Sequence, residues 1–251
     1  PRPPRAELSL VAADDLTELQ RAAADSVEAA ARAVKGDPLD RGARDRLLRA
    51  LLRGGQLTEA RAALGTWRRV DPLGGDVLRW DAGLSLLHGR IDRGLEAALR
   101  HHELAGPSEA LDRPLARALS HAGRPLEVGA ILAAAGLSED AQGDPPGDRA
   151  LRLTSDAAVL VVLVSPDGRV VSAIDEEVWT GGWAGPLVLQ KMSFGTWLVV
   201  VVPLDGGASA VEGELTIEAL GGRRAEHRLS VPLHLSGREP RVVATVDLWK
   251  K

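Results

Sequence analysis

Three glycines, Gly55, Gly89 and Gly123, fall 34 residues apart, and Asp37-Pro38 recurs at the same interval as Asp71-Pro72. Glycine ends helices in a left-handed cap and proline cannot continue one, so this spacing punctuates a chain of short helices at a fixed register. A period of this length marks a stack of helix pairs, each burying its apolar face only against its neighbours. Such a stack presents a concave surface, which points to holding a partner more than to chemistry.

The helical period runs to about residue 136. Asp14 or Asp15 is placed to cap a long helix with the stripe Leu16, Leu19, Ala23, Val27, Ala30 and Val34, ended by Asp37-Pro38. Helix pairs are predicted at about 41–53 with 57–70, 75–88 with 91–104, and 109–121 with 125–135, and no strand is expected before residue 130. In the unit 41–74, Ala60 stands at a small second-helix position, Leu64 at the large apolar position after it, Leu47 and Leu51 on the first helix, and Pro72 at the end. These residues and the 34-residue period resemble the tetratricopeptide repeat family over about 14–136. Trp67 departs from the small residue usual at its position, and Gly94, Ala98, Val128 and Leu132 continue the pattern with drift.

Residues 137–149, with Gly143-Asp144-Pro145-Pro146-Gly147, lack periodicity and read as a linker. Beyond it the period falls to two. Strands are predicted at about 150–154, 157–164, 169–174, 186–191, 196–204, 211–220, 223–235 and 240–248, with Pro166-Asp167-Gly168 and Gly221-Gly222 as turns. Pro232 inside a good strand marks an edge or a bulge. The expected fold is therefore multidomain α + β: an extended segment 1–13, a helical-repeat domain 14–136, the linker, and an antiparallel β-sandwich from 150 to 251. Ser165-Pro166-Asp167-Gly168, Gly185-Pro186 and Gly195-Thr196-Trp197 resemble turns of the β domain at the C-terminus of bacterial proteins with VIT and von Willebrand factor A modules. Where that family alternates acidic and apolar residues, this chain has Val159-Leu160-Val161-Val162-Leu163-Val164, so the resemblance implies no polar or metal site on that strand.

Charge excludes one class of partner. The net charge of −4 is spread evenly, with 21 basic and 23 acidic residues through residue 149 and 10 and 12 after it, so no nucleic-acid binder is expected. With no cysteine, disulfides, thiol nucleophiles and cysteine-ligated zinc are excluded. No apolar run approaches the ~20 residues of a membrane helix, and no membrane insertion is expected. The start, Pro1-Arg2-Pro3-Pro4-Arg5, shows no signal peptide and reads as a processed chain or a piece of a larger one, leaving the compartment open between cytoplasm and periplasm or cell surface. The preference for Arg over Lys and the lack of Tyr read as a GC-rich bacterial genome.

Candidate chemistry is sparse. His101-His102-Glu103 are adjacent on a helix and cannot share a ligand sphere, and His88 and His121 sit where histidine caps a helix C-terminus. No cofactor and no catalytic metal are expected. Asp167 with Asp175-Glu176-Glu177 is a possible calcium cluster, though neighbouring loop carboxylates usually point apart. Trp179 and Trp183 bracket a glycine loop that forms a stacking platform if exposed and closes the sandwich if buried. Phosphate loops and hydrolase or metalloprotease motifs are lacking.

The family alignment implies that the partner-facing side of the first helices carries Arg49, Arg53, Arg79, Arg113, Arg117 and His121. Arginine grips carboxylates bidentately, so this surface suits an acidic peptide or C-terminal carboxylate. The leading expectation is a non-enzymatic protein–protein interaction adaptor or assembly subunit. The alternative is an extracytoplasmic module that binds a carbohydrate or other surface through the Trp179–Trp183 loop, and a hydrolase ranks third.

Overall fold

The computed structural model describes residues 6–13, 16–106, 115–116, 118–119, 123–134, 149–172, 178–180, 186–189, 192–204, 210–221 and 224–250. Its helices are α1 (Thr17–Gly36), α2 (Arg41–Arg53), α3 (Leu57–Val70), α4 (Gly75–Leu87), α5 (Ile91–Ala105) and α6 (Pro125–Ala134). The strands are β1 (Ala6–Ala12), β2 (Arg149–Ser155), β3 (Val159–Val164), β4 (Val170–Val171), β5 (Val178–Thr180), β6 (Leu187–Leu189), β7 (Gly195–Pro203), β8 (Val211–Gly221), β9 (Arg224–Leu235) and β10 (Arg241–Lys250). The protein is a mixed α + β structure with antiparallel sheets.

The recurring glycines do the work that their spacing implies. Gly55, Gly89 and Gly123 have φ of 67°, 68° and 71°. After α2, the Gly55 N–H bonds the Leu52 carbonyl and the Gln56 N–H bonds that of Leu51; after α4, Gly89 and Arg90 repeat this to Leu86 and Ser85. Both are Schellman caps, which need a left-handed residue at the glycine. The Arg124 N–H on the Leu119 carbonyl gives the third turn the same long closing bond. At the N-terminus of α2, the Asp40 carboxylate accepts from the Ala43 N–H at 3.0 Å. Gly94, at the small second-helix position, lets α5 lie close to α4: a Cβ there would stand 2.9 Å from the Leu86 side chain.

The strands form two five-stranded sheets, ordered β1-β10-β7-β3-β4 and β5-β6-β2-β8-β9. One apolar cluster joins their facing sides, with Val159, Val161, Leu163, Trp197, Val199, Val201 and Val246 from the first and Leu151, Leu153, Leu187, Leu189, Leu215, Ile217 and Leu233 from the second. Pro232 lies in β9, an edge strand of the second sheet, where a missing N–H costs no ladder bond.

The other face of the first sheet is equally apolar and is covered by the helices. Leu160, Val162, Val164, Leu198, Val200, Val202 and Val242 share a core with Leu48, Leu51 and Leu52 of α2, Ala60, Leu64 and Trp67 of α3, and Val77, Trp80, Leu84 and Leu87 of α4. Every residue of β3 is buried for that reason. A strand covered on both faces reads as an unbroken apolar run instead of an alternation.

Two expectations are corrected here. The segment Ala6–Ala12 is a strand, registered along β10 from Ala6 opposite Lys250 to Ala12 opposite Ala244, so a strand does precede residue 130. Its alternation is brief, and its partner lies at the far end of the chain. The helical and β segments also share a core, because α2 to α4 cover the outer face of the first sheet. The linker lies outside the described residues, apart from Arg149, which opens β2.

One hairpin fastens the layers. Gly168, in the β3–β4 turn with φ of 78°, meets α2 so closely that an added Cβ would stand 2.4 Å from the Arg49 carbonyl oxygen. Gly168→Ala is expected to cost about 2 kcal/mol or more, from the left-handed backbone and a clash with main chain that cannot swing aside. Gly65→Ala in α3, where an added Cβ meets nothing within 4 Å, should instead stabilise by roughly 0.5–1 kcal/mol. Urea unfolding of the two variants checks the opposite signs.

Candidate functional site

Of the arginines expected to greet a partner, Arg49 lies against the β3–β4 turn of the first sheet. Arg49 donates from Nε to Asp45 at 2.6 Å, reaches Asp167 at 3.3 Å, and stacks 5.6 Å above the Trp80 ring. Arg79 bonds Asp76 at 3.2 Å and lies 3.7 Å from Asp45. Arg49 and Arg79 are thus committed to carboxylates of the chain itself. Arg53 is exposed. Arg113, Arg117 and His121 lie outside the described residues, as do Trp183, Asp175, Glu176 and Glu177, while the backbone of Trp179 pairs in β5 opposite Val188. Asp167 is held by the Ser165 hydroxyl, Arg169 and Arg49. Burial raises its carboxyl pKa, but that hydrogen bond and the two guanidinium charges outweigh burial and hold it below the usual carboxylate range. This carboxylate is a structural clamp between α2 and the β3–β4 turn.

A different basic cluster surrounds an open cavity of about 140 Å3 between α3, α4 and the start of α5. Arg61 and Arg68 come from one face of α3, two turns apart; Arg90 is the N-cap of α5 and Arg93 lies in its first turn. Asp81 of α4 takes Arg93 at 3.1 Å and Arg68 at 3.4 Å. Burial pushes the Asp81 carboxyl above its usual range, a shift that Arg68, Ser85, Arg90 and Arg100 reduce but do not reverse. The guanidinium groups of Arg61 and Arg90 have no described hydrogen-bonding or ion-pair partner. Four guanidinium groups therefore face one carboxylate. The surplus is three positive charges, and its chemistry is that of an oxyanion clamp.

His88, the C-cap residue of α4, also lines this cavity, with a side chain only 3% exposed. It occupies the helix end that its spacing implied, but it is buried there and not solvated. Its Nδ1 stands 4.0 Å from the Glu239 carboxylate, and its Nε2 has no hydrogen-bond partner. Burial first, then the charges of Arg61 and Arg90, hold the imidazole below its ordinary pKa, against the pull of Glu239 and the Leu57 carbonyl. The unfolded chain takes up this proton as pH falls through about 6.5, whereas the folded chain resists it, so stability should fall as pH drops below that value. Melting curves between about pH 7.5 and 5.5 should show the decline, and His88→Gln should flatten it.

Sequence reasoning missed this cluster. The Arg61–Arg68 and Arg90–Arg93 spacings were visible, but the resemblance directs attention to first helices, and only packing brings α3 and the start of α5 around Asp81. Among the described residues, no group of three or more histidines and carboxylates is placed to hold a metal ion, and no helix is long and apolar enough to cross a membrane. No family model, curated protein or solved structure matches the chain.

Proposed function

We propose that this chain is a non-enzymatic adaptor or assembly subunit: a tetratricopeptide-like helical array, backed by a β-sandwich, that holds an acidic segment of a partner protein. The 34-residue register with its repeated Schellman turns supports the repeat reading, and the shared core between the facing sheets supports the sandwich. The observation that carries the function is the cavity where Arg61, Arg68, Arg90 and Arg93 surround the single carboxylate of Asp81. In this reading the partner docks beside α3 and the start of α5, away from the sheet-covered faces of α2 and α4.

The test uses a fluorescent glutamate-rich peptide and the intact protein. Binding should weaken as salt rises, since exposed charges are screened over ~8 Å at physiological ionic strength. Arg61→Glu with Arg90→Glu should abolish it, while the far-UV spectrum and melting temperature stay nearly unchanged. Binding that survives both the reversal and high salt would place the partner site elsewhere.

A further inference from the structure

We infer that the Arg61/Arg68/Arg90/Arg93 cavity is a site for a phosphoryl dianion. This rests on the acidic-partner reading of the same cavity, and it names the group that the cavity takes. Three observations converge on it. The first is charge: Asp81 already engages Arg68 and Arg93, which leaves the guanidinium groups of Arg61 and Arg90 without a described ion-pair or hydrogen-bond partner. Four guanidinium groups against one carboxylate leave three positive charges, and a phosphoryl group, at about −1.5 to −2 at pH 7, answers more of them than a carboxylate, which answers only one.

The second is the end of α5. No side chain caps this 15-residue helix at Arg90, and Arg90 and Arg93 bring its positive dipole end to the cavity wall, in the same turn as the Asp92 carboxylate. The third is size and wall. A volume of about 140 Å3 holds roughly four or five waters at about 30 Å3 each, which suits one phosphoryl group and not a folded segment. Gly65 leaves the α3 wall open, with nothing within 4 Å of where its Cβ would be, and the almost wholly buried His88 supplies a polar side chain whose Nε2 lacks a partner.

Asp81 has a defined part in this scheme. It holds Arg68 and Arg93 in place when the cavity is empty of ligand and competes with an entering anion for both. Asp81→Asn keeps the shape, removes the competing charge and should tighten binding.

The experiment is calorimetric titration of the intact protein with inorganic phosphate and phenyl phosphate at pH 7.5, with acetate as the monoanion. Saturable binding of both phosphates is expected, with acetate at least about tenfold weaker. Arg61→Ala and Arg90→Ala should each weaken it roughly ten- to a hundredfold, the range for a lost hydrogen bond to a charged group. Asp81→Asn should strengthen it several-fold, and Gly65→Leu should block it with all four arginines retained. Circular dichroism establishes that each variant is folded, and the two alanine variants decide the matter if Gly65→Leu is not. The inference is overturned if phosphate does not bind, if acetate binds as well, or if binding survives the combined Arg61→Ala and Arg90→Ala change. Glutamate-peptide binding that depends on Arg61 and Arg90 without any phosphate response leaves the acidic-partner reading standing and removes the phosphoryl assignment. Phosphate binding without peptide binding does the reverse.

Discussion

Expressed without its helices, the segment 149–251 is expected to aggregate or form soluble oligomers instead of a monomeric β domain. The reason is the second face of the first sheet. Leu160, Val162, Val164, Leu198, Val200 and Val202 are buried beneath α2, α3 and α4, and removing the helices turns them toward water. A contiguous apolar patch of more than a few hundred Å2 is an association surface in a soluble protein. The same truncation removes β1, so β10 becomes an unpaired edge and adds a template for strand pairing. Size-exclusion chromatography with light scattering, together with binding of a hydrophobic dye, makes the measurement. Polar replacement of Val162 and Val200 in the fragment should restore solubility. A monomeric fragment with a sharp melting transition would show that the sheet does not depend on the helices.

The second large effect is expected at Asp45. Its carboxylate accepts from Arg49 Nε at 2.6 Å and Trp80 Nε1 at 2.9 Å, and it stands 3.7 Å from Arg79. Burial alone would raise its pKa; the hydrogen bonds from Arg49 and Trp80, with the charges of Arg49 and Arg79, outweigh burial and lower it. Asp45→Ala would leave the Trp80 N–H without its acceptor and the Arg49 guanidinium half-buried beside one fewer carboxylate. The expected loss is about 2–4 kcal/mol. That corresponds to roughly 4–16 °C in melting temperature for a chain of this size. Arg79→Ala, which removes a half-exposed partner that also bonds Asp76, should cost less than about 1 kcal/mol. Equal effects from the two changes would contradict the central place given to Asp45.

The same carboxylate gives the acid response a sign. A carboxyl with a lowered folded pKa contributes stability that is full above its unfolded value, near 3.9, and is lost as pH falls through the folded value. Asp45 and Asp167 both act in this direction. Asp81 acts in the opposite one, since its raised pKa means that protonation relieves a cost of folding. Acid unfolding below about pH 4 should therefore be blunted in Asp45→Ala and retained in Asp81→Asn.

The turns and most of the secondary structure were legible in the residues themselves. Helices were expected at 41–53 and 57–70, and α2 and α3 occupy those residues, because a Schellman cap depends only on a glycine and the few residues before it. Strands were likewise expected at 211–220 and 223–235, and β8 and β9 lie there, since alternation is a property of one segment. The run from Val159 to Val164 was seen too, but an unbroken apolar run does not say what covers its second face.

What only the tertiary structure decided is everything that joins segments far apart in the chain. Pairing of β1 with β10 unites residues 6–12 with 244–250. The laying of α2, α3 and α4 on the first sheet buried their apolar faces and made Arg49 a fastening between layers. That outcome follows from burying two apolar surfaces at once, and the hydrophobic effect that drives it is non-directional. A one-dimensional pattern can show that a face must be covered, but the three-dimensional packing selects the cover, and here it gathered Arg61, Arg68, Arg90 and Arg93 around Asp81 as α3, α4 and α5 packed together.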